Sequence, residues 1–190
     1  MVREWQYWTL NKLEILQGYL PAFNIASKRS SERVYLDLMA GQPENAAAGT
    51  GQMFDGSARI ALASDPGFTR LAFGELQHFA LLEDDLRRRF PDREFTVYPG
   101  DCNETIGQML ADVADVNWAP TFAFLDQQGA ELHWSTMEAI ARFKKAGLTK
   151  AEQWILLSPT MIYRGVQGTN GHLFAARVDR MYGTSAWRHI

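Results

Sequence analysis

The sequence predicts an α/β fold: a doubly wound, mostly parallel sheet preceded by an N-terminal helix. Three observations carry this reading. Short apolar runs alternate with amphipathic helical stretches. Each run stops at a glycine, a proline or an acid, and the runs are apolar throughout rather than at every second residue. Strands of that last kind are buried on both faces, which requires helices above and below the sheet. The 190 residues, 46% hydrophobic and 22% charged, suffice for one such core. No stretch approaches the ~20 apolar residues that span a bilayer, so no membrane partner is expected.

Taken in order, residues 1–33 read as a helical segment, 34–160 as the sheet-bearing core and 161–190 as a basic C-terminal segment. Leu10, Leu13, Ile15, Leu16, Tyr19 and Leu20 give the first segment an amphipathic helix, with Trp5, Tyr7 and Trp8 packing it down. Val34 to Met39 is the first strand, ending at Ala40-Gly41. A loop rich in Gly, Asn and small residues follows over 42–55, and Ser57 is placed to cap a short helix to Ala63. Thr69–Phe73 is the second strand, ending at Gly74-Glu75. Phe79, Leu82, Leu86 and Phe90 recur at helical spacing within Gln77–Phe90, and Arg87 to Arg89 load the C-terminal turn, where cations favour the dipole. Phe95–Tyr98 is a third strand, broken by Pro99-Gly100.

Glu104–Val113 reads as a helix capped by Asn103, with Ile106, Met109, Leu110 and Val113 as its buried stripe. Pro120–Asp126 is a fourth strand. Ser135–Lys145 is a helix with Met137, Ile140, Ala141 and Lys144 along one side. Trp154–Leu157 is a fifth strand, stopped by Ser158-Pro159.

Charge and cysteine content exclude several classes. The net charge of −3 is not that of a polybasic nucleic-acid coat. Residues 34–160 carry 10 basic and 18 acidic side chains, against 5 and 3 in residues 1–33 and 4 and 1 in residues 161–190. Basic flanks of this kind serve a polyanion if they share one face; ordinary surface scatter is the plainer explanation. Cys102 is the single cysteine, which rules out an intramolecular disulfide framework and a multi-cysteine zinc site. His78, His133, His172 and His189 have no metal-ligand spacing, so no metal is expected. The N-terminus lacks an apolar signal core, and a reduced, cytoplasmic location is expected.

In a sheet of this type ligands bind outside the carboxyl ends of the strands, where the chain order reverses. The residues ending the strands form a series: Asp37 with Ala40 and Gly41, then Glu75, Asp101 and Asp126. A glycine after strand one lets backbone approach a ligand closely. A carboxylate after strand two can accept a ribose diol, and one after strand three an exocyclic amine. Any one of these acids alone would be a turn residue; four in register point to a nucleoside. Phosphate chemistry fails on residue type. No lysine lies between Arg33 and Lys144, and Pro43 offers no N–H where a dinucleotide fingerprint needs one. A nucleoside without a phosphate chain fits best, and S-adenosylmethionine meets that description.

The series Tyr35-Leu36-Asp37-Leu38-Met39-Ala40-Gly41, Gly56-Ser57 with Ala61-Leu62, Phe73-Gly74-Glu75, Gly100-Asp101-Cys102-Asn103, Phe124-Leu125-Asp126-Gln127-Gln128-Gly129 and Leu132-His133-Trp134 resembles the three-Cys-motif partner (TcmP) family. Trp8 to Leu13, Tyr19-Leu20, Tyr182-Gly183-Thr184 and Trp187 are similar to it as well, so the likeness spans nearly the whole chain. The family resembles class I S-adenosylmethionine-dependent methyltransferases. The likeness therefore implies a Rossmann-like sheet and a radical-SAM-like three-Cys-motif protein as partner. It also implies a C-terminal segment that is short for the family. It places Asp37, Ala40 and Gly41 at the methionine end of S-adenosylmethionine, Glu75 on the ribose, Asp101 and Cys102 along the adenine, and Asp126 in the reaction pocket as the catalytic residue. Two departures stand out. The family's Gly-Pro-Gly is Gly41-Gln42-Pro43 here, and its Asp-Pro-aromatic-Gly is Asp126-Gln127-Gln128-Gly129. Losing the proline and the aromatic ring weighs against methylation of a flipped base. The expectation is methyl transfer to an N or O acceptor. The alternatives are a non-catalytic partner protein with the same fold and a nucleic-acid-binding module.

Overall fold

The computed structural model describes residues 4, 5, 7–147 and 149–189. Its elements are β1 (Glu4–Trp5), α1 (Tyr7–Ala26), β2 (Val34–Asp37), β3 (Glu44–Ala47), β4 (Met53–Asp55), α2 (Ser57–Ala63), β5 (Arg70–Glu75), α3 (Phe79–Arg89), β6 (Phe95–Pro99), α4 (Cys102–Asp112), β7 (Thr121–Leu125), α5 (Trp134–Phe143), β8 (Glu152–Ile155), α6 (Pro159–Gln167) and α7 (Gly171–Tyr182). Five strands form a sheet in the order β6-β5-β2-β7-β8, every pair parallel. The chain winds outward from β2 to β6, then returns to β7 on the other side of β2. Chain order thus reverses between β2 and β7. This arrangement is compatible with a Rossmann-like fold.

Both faces of the sheet are covered, as the uninterrupted apolar strands require. Successive side chains alternate in direction, and here they sort by size. Tyr35, Leu71, Phe73, Phe95, Phe122 and Phe124 face α1, α2 and α3, where Leu13, Leu16, Leu20, Leu82 and Leu86 close over them. The Tyr35 ring lies 5.1 Å from that of Phe68, 5.9 Å from Phe122 and 6.0 Å from Phe73. The opposite face carries Val34, Leu36, Ala72, Ala123 and Leu125 against Ile106 and Met109 of α4 and Ile140 of α5. The small alanines let those helices approach closely, and the aromatic face accommodates three.

Several boundaries differ from the sequence reading. The expected loop 42–55 contains β3 and β4, antiparallel to each other, with β1 parallel to β3 in a separate three-stranded sheet. Its strands, Glu-Asn-Ala-Ala and Met-Phe-Asp, lack the β-branched alternation that marks a strand in sequence. Ser57 does not cap α2. Gly56 takes that position, because a Cβ there would lie 2.4 Å from the Gln42 carbonyl oxygen. Asp101, not Asn103, caps α4, its side chain accepting the Asn103 N–H. β8 starts two residues before the expected Trp154. Phe79 begins α3 but is partly exposed, so Leu82 and Leu86 carry its inner stripe. Trp8 is 51% exposed and does not pack α1 down; the side chains of Trp5 and Tyr7 lie outside the described residues. The basic C-terminal segment folds as α6 and α7, which pack around Ala130, Ile162, Val178 and Met181. No helix among the described residues is long and apolar enough to cross a membrane.

The small sheet is fastened through Arg59. This buried side chain donates to both Asp85 oxygens at 2.8 Å, to Glu44 at 3.0 Å and to Asp55 at 2.9 Å, joining α2, α3, β3 and β4. Removing one partner of a buried pair strands the other charge, and that cost exceeds the worth of the pair itself. Arg59→Met is therefore expected to lower unfolding free energy by ~3–5 kcal/mol in urea titrations. Adding Asp85→Asn in that background should recover part of the loss. A change under ~1 kcal/mol in Arg59→Met would show the cluster to be a surface network.

Candidate functional site

A cavity of about 360 Å³ opens at the carboxyl ends of β2, β5 and β7, beside the reversal of chain order. Ala40, Gly41, Glu75 and Asp126 line it, together with Lys12, His78 and Glu131. The structure thus brings together four of the seven residues expected there. Asp37 lies beneath the cavity, and Asp101 and Cys102 lie outside its lining.

Gly41 is the hinge of the site. Its φ of +67° is the left-handed region that disfavours a side chain, and the space around its missing Cβ is open. Its N–H donates to Glu75 Oε2 at 2.8 Å, while Glu75 Oε1 accepts from the backbone N–H groups of Gln77 and His78, each at 2.8 Å. A carboxylate has about four acceptor positions, so Glu75 spends three of them on backbone. It braces the loop after β2 against the entry to α3 and leaves one acceptor position unspent by these backbone groups.

Asp37 is fully buried, with no cation beside it among the described residues. It accepts the Met39 N–H at 3.2 Å and the Tyr35 hydroxyl at 3.4 Å. Burial pushes its carboxyl up from 3.8 to about 7; hydrogen bonds from Ser57 and Met39 oppose the rise, and the nearby Asp126 charge adds to it.

Asp126 is held by Lys12, whose ammonium group donates to Oδ2. Its other oxygen, Oδ1, is buried and has no hydrogen-bond partner among the described residues. Burial raises the Asp126 pKa, and the Lys12 charge opposes that rise. Lys12 was not among the expected site residues. The signal available was Thr9, a polar residue on the Thr9-Leu13-Leu16-Leu20 stripe that α1 buries, with Lys12 at its edge.

Asp101 and Cys102 have architectural surroundings. Asp101 is exposed and accepts from the Asn103 N–H and side-chain amide, both at 2.8 Å. The Cys102 thiol is buried and pushed up to about 12 by that burial and by the Asp101 charge, so it stays protonated and unreactive at neutral pH. Asn103, not singled out from sequence except as a cap, joins two loops. Its amide donates to the Glu131 carbonyl at 2.9 Å, and its Oδ1 accepts the His133 N–H and the Thr136 hydroxyl, both at 2.8 Å. Gln127 is likewise committed: it accepts the Leu132 N–H at 3.2 Å and donates to Met181 Sδ at 3.3 Å. Pro43 does not line the cavity; its carbonyl accepts the Gly56 N–H at 2.9 Å.

No family model matches the chain, and neither do the curated proteins or the solved structures with which it was compared.

The Asp37 carboxyl gives the site a pH signature. From 3.8 up to about 7 the folded chain keeps a proton that the unfolded chain releases, so Asp37 makes stability fall as pH rises through that window and level off above it. Asp37→Asn removes this contribution. Its unfolding free energy should exceed that of the parent by ~2–4 kcal/mol above neutral pH and converge with it in acid. Parallel curves for the two proteins across the window would show that Asp37 is ionised in the fold.

Proposed function

We propose that the protein binds S-adenosylmethionine in this cavity and is a methyltransferase-like protein of the three-Cys-motif partner type. The observation that carries the reading is the convergence of Gly41, Glu75 and Asp126, from three adjacent parallel strands, on one cavity where chain order reverses. The volume lies within the ~300–1,000 Å³ typical of small-molecule sites. Two local features fit such a ligand: open space at Gly41 and one unspent acceptor position on Glu75.

When bound, the sulfonium supplies an electrophilic methyl group. That methyl group would be available to an N or O acceptor, with S-adenosylhomocysteine as the other product. The chain's contribution is placement, which is sufficient for such transfers. Gly41 would admit the ligand to the backbone, Glu75 would orient a ribose hydroxyl, and Asp126, fixed through Oδ2 by Lys12, would border the acceptor.

A second reading is a non-catalytic partner of a three-Cys-motif protein. The Lys12–Asp126 ion pair favours it, since the candidate catalytic carboxylate is already occupied on one side. The basic side chains of the two flanks do not all share one face. Arg33 bonds the Gly67 carbonyl at the entry to the sheet, whereas α7 packs beside the loop leaving β7 at the opposite end.

Calorimetric titration with S-adenosylhomocysteine separates the two. Micromolar binding is expected, weakened about tenfold or more in Glu75→Ala, because a charge-assisted hydrogen bond and its loop brace are both lost. Asp101→Ala should bind as the parent does. Absence of binding by a folded chain would leave the partner reading.

A further inference from the structure

A second cavity, of about 330 Å³, adjoins the first. Lys12 lines both, so its ion pair with Asp126 marks the border between them. Beyond that border the chemistry changes. The walls are Phe124 of β7, Trp154 and Ile155 of β8, and Leu156 just after it, with no carboxylate among the lining residues.

Strand geometry explains the composition. Side chains two residues apart share a face, which sets Phe124 next to Phe122 and Leu156 next to Trp154 on the side covered by α1. The Trp154 ring lies 4.4 Å from that of Tyr19 on α1 and 5.4 Å from that of Phe122. Its indole N–H donates to Glu152 Oε1 at 3.0 Å, an oxygen that also accepts the Tyr19 hydroxyl at 2.5 Å, so the ring is fixed in place. Leu156 is held in strand conformation by its N–H on the Leu125 carbonyl at 3.0 Å. Gln153 turns its amide away, to the Met137 carbonyl of α5. What remains is an apolar wall, its ring held against tilted aromatic neighbours, with the Lys12 ammonium group at its border with the first cavity.

We propose that this second cavity is a binding site for a planar apolar molecule, an aromatic or heteroaromatic ring laid along Phe124, Trp154 and Leu156 with its polar edge or ring face toward Lys12. Offset and edge contacts with fixed aromatic rings favour a flat partner, and an ammonium group packs over a ring face or donates to an oxygen. The polar lining of the first cavity and the apolar lining of the second select different ligands. Where they meet, at Asp126, a ring nitrogen or oxygen seated in the second would face the first. The role of this site as the methyl-acceptor pocket rests on the methyl-donor reading given above; its existence as a ring-binding site does not.

Saturation-transfer NMR on the full chain, with indole as the probe and S-adenosylhomocysteine present or absent, tests the site. Saturable indole binding is expected, with intermolecular NOEs to the Leu156 methyls and the Phe124 ring in the parent chain. Leu156→Trp, which fills the cavity, and Leu156→Lys, which charges its wall, should each weaken indole binding about tenfold without changing the heat of S-adenosylhomocysteine binding. No saturable binding, no NOEs to these residues, or equal indole affinity in both variants overturns the proposal. The two readings fail separately. Indole binding that depends on Leu156 in a chain that ignores S-adenosylhomocysteine removes the methyl-donor reading and keeps the ring site. The converse removes the ring site alone.

Discussion

Everything at the carboxyl end of the sheet depends on β2 being paired on both sides, with β5 and with β7. Only four residues long and wholly buried, it holds the centre of the sheet, and the chain leaves it at the point where the winding direction reverses. Two consequences follow from that one placement. The loop that leaves β2 must turn at once, which Gly41 does. The carboxylates that end β2 and β7 must also lie near each other, in surroundings with little water. The upward push of the Asp126 charge on Asp37 is the electrostatic result of an aspartate at the end of β2 and another just after β7.

The protein meets that crowding unequally. Asp37, deeper, is favoured in its neutral form by burial. Asp126, nearer the opening, receives a counter-charge from a helix that precedes the whole sheet. α1 is therefore more than a cover for the aromatic face. Its buried stripe docks it on Phe122 and Tyr35, and that docking delivers Lys12 to the far end of β7. The same helix meets β8 through Tyr19, so a single rigid element borders both cavities.

The sheet was legible because its strands are uniformly apolar and end in recognisable stops. The cavity-lining residues Gly41, Glu75 and Asp126 were legible because they sit at those stops. What escaped the sequence reading was long-range. Lys12 is 114 residues from Asp126, and nothing local marks it as a partner. β3 and β4 escaped because their composition resembles a loop and the Arg59 cluster that gives them a place is non-local. Asp101, expected along the adenine, lies outside the lining of the first cavity and caps α4, and Asn103, expected as that cap, joins two loops instead: caps, loop links and ligand walls draw on the same residue types. The fixed position of Gln127 between Leu132 and Met181 shows why a glutamine can stand there. Its amide links the loop after β7 to α7, a link that proline, having no side-chain donor, could not make.

The amide of Asn103 has a mechanical consequence. By bonding the peptide groups of Glu131 and His133 as well as the Thr136 hydroxyl, it clamps the start of one helix, the segment after β7 and the start of the next helix into a single stiff rim. Glu131 belongs to that rim and borders the first cavity. The cavity edge at Glu131 is therefore tied to the starts of both helices rather than to one loop alone.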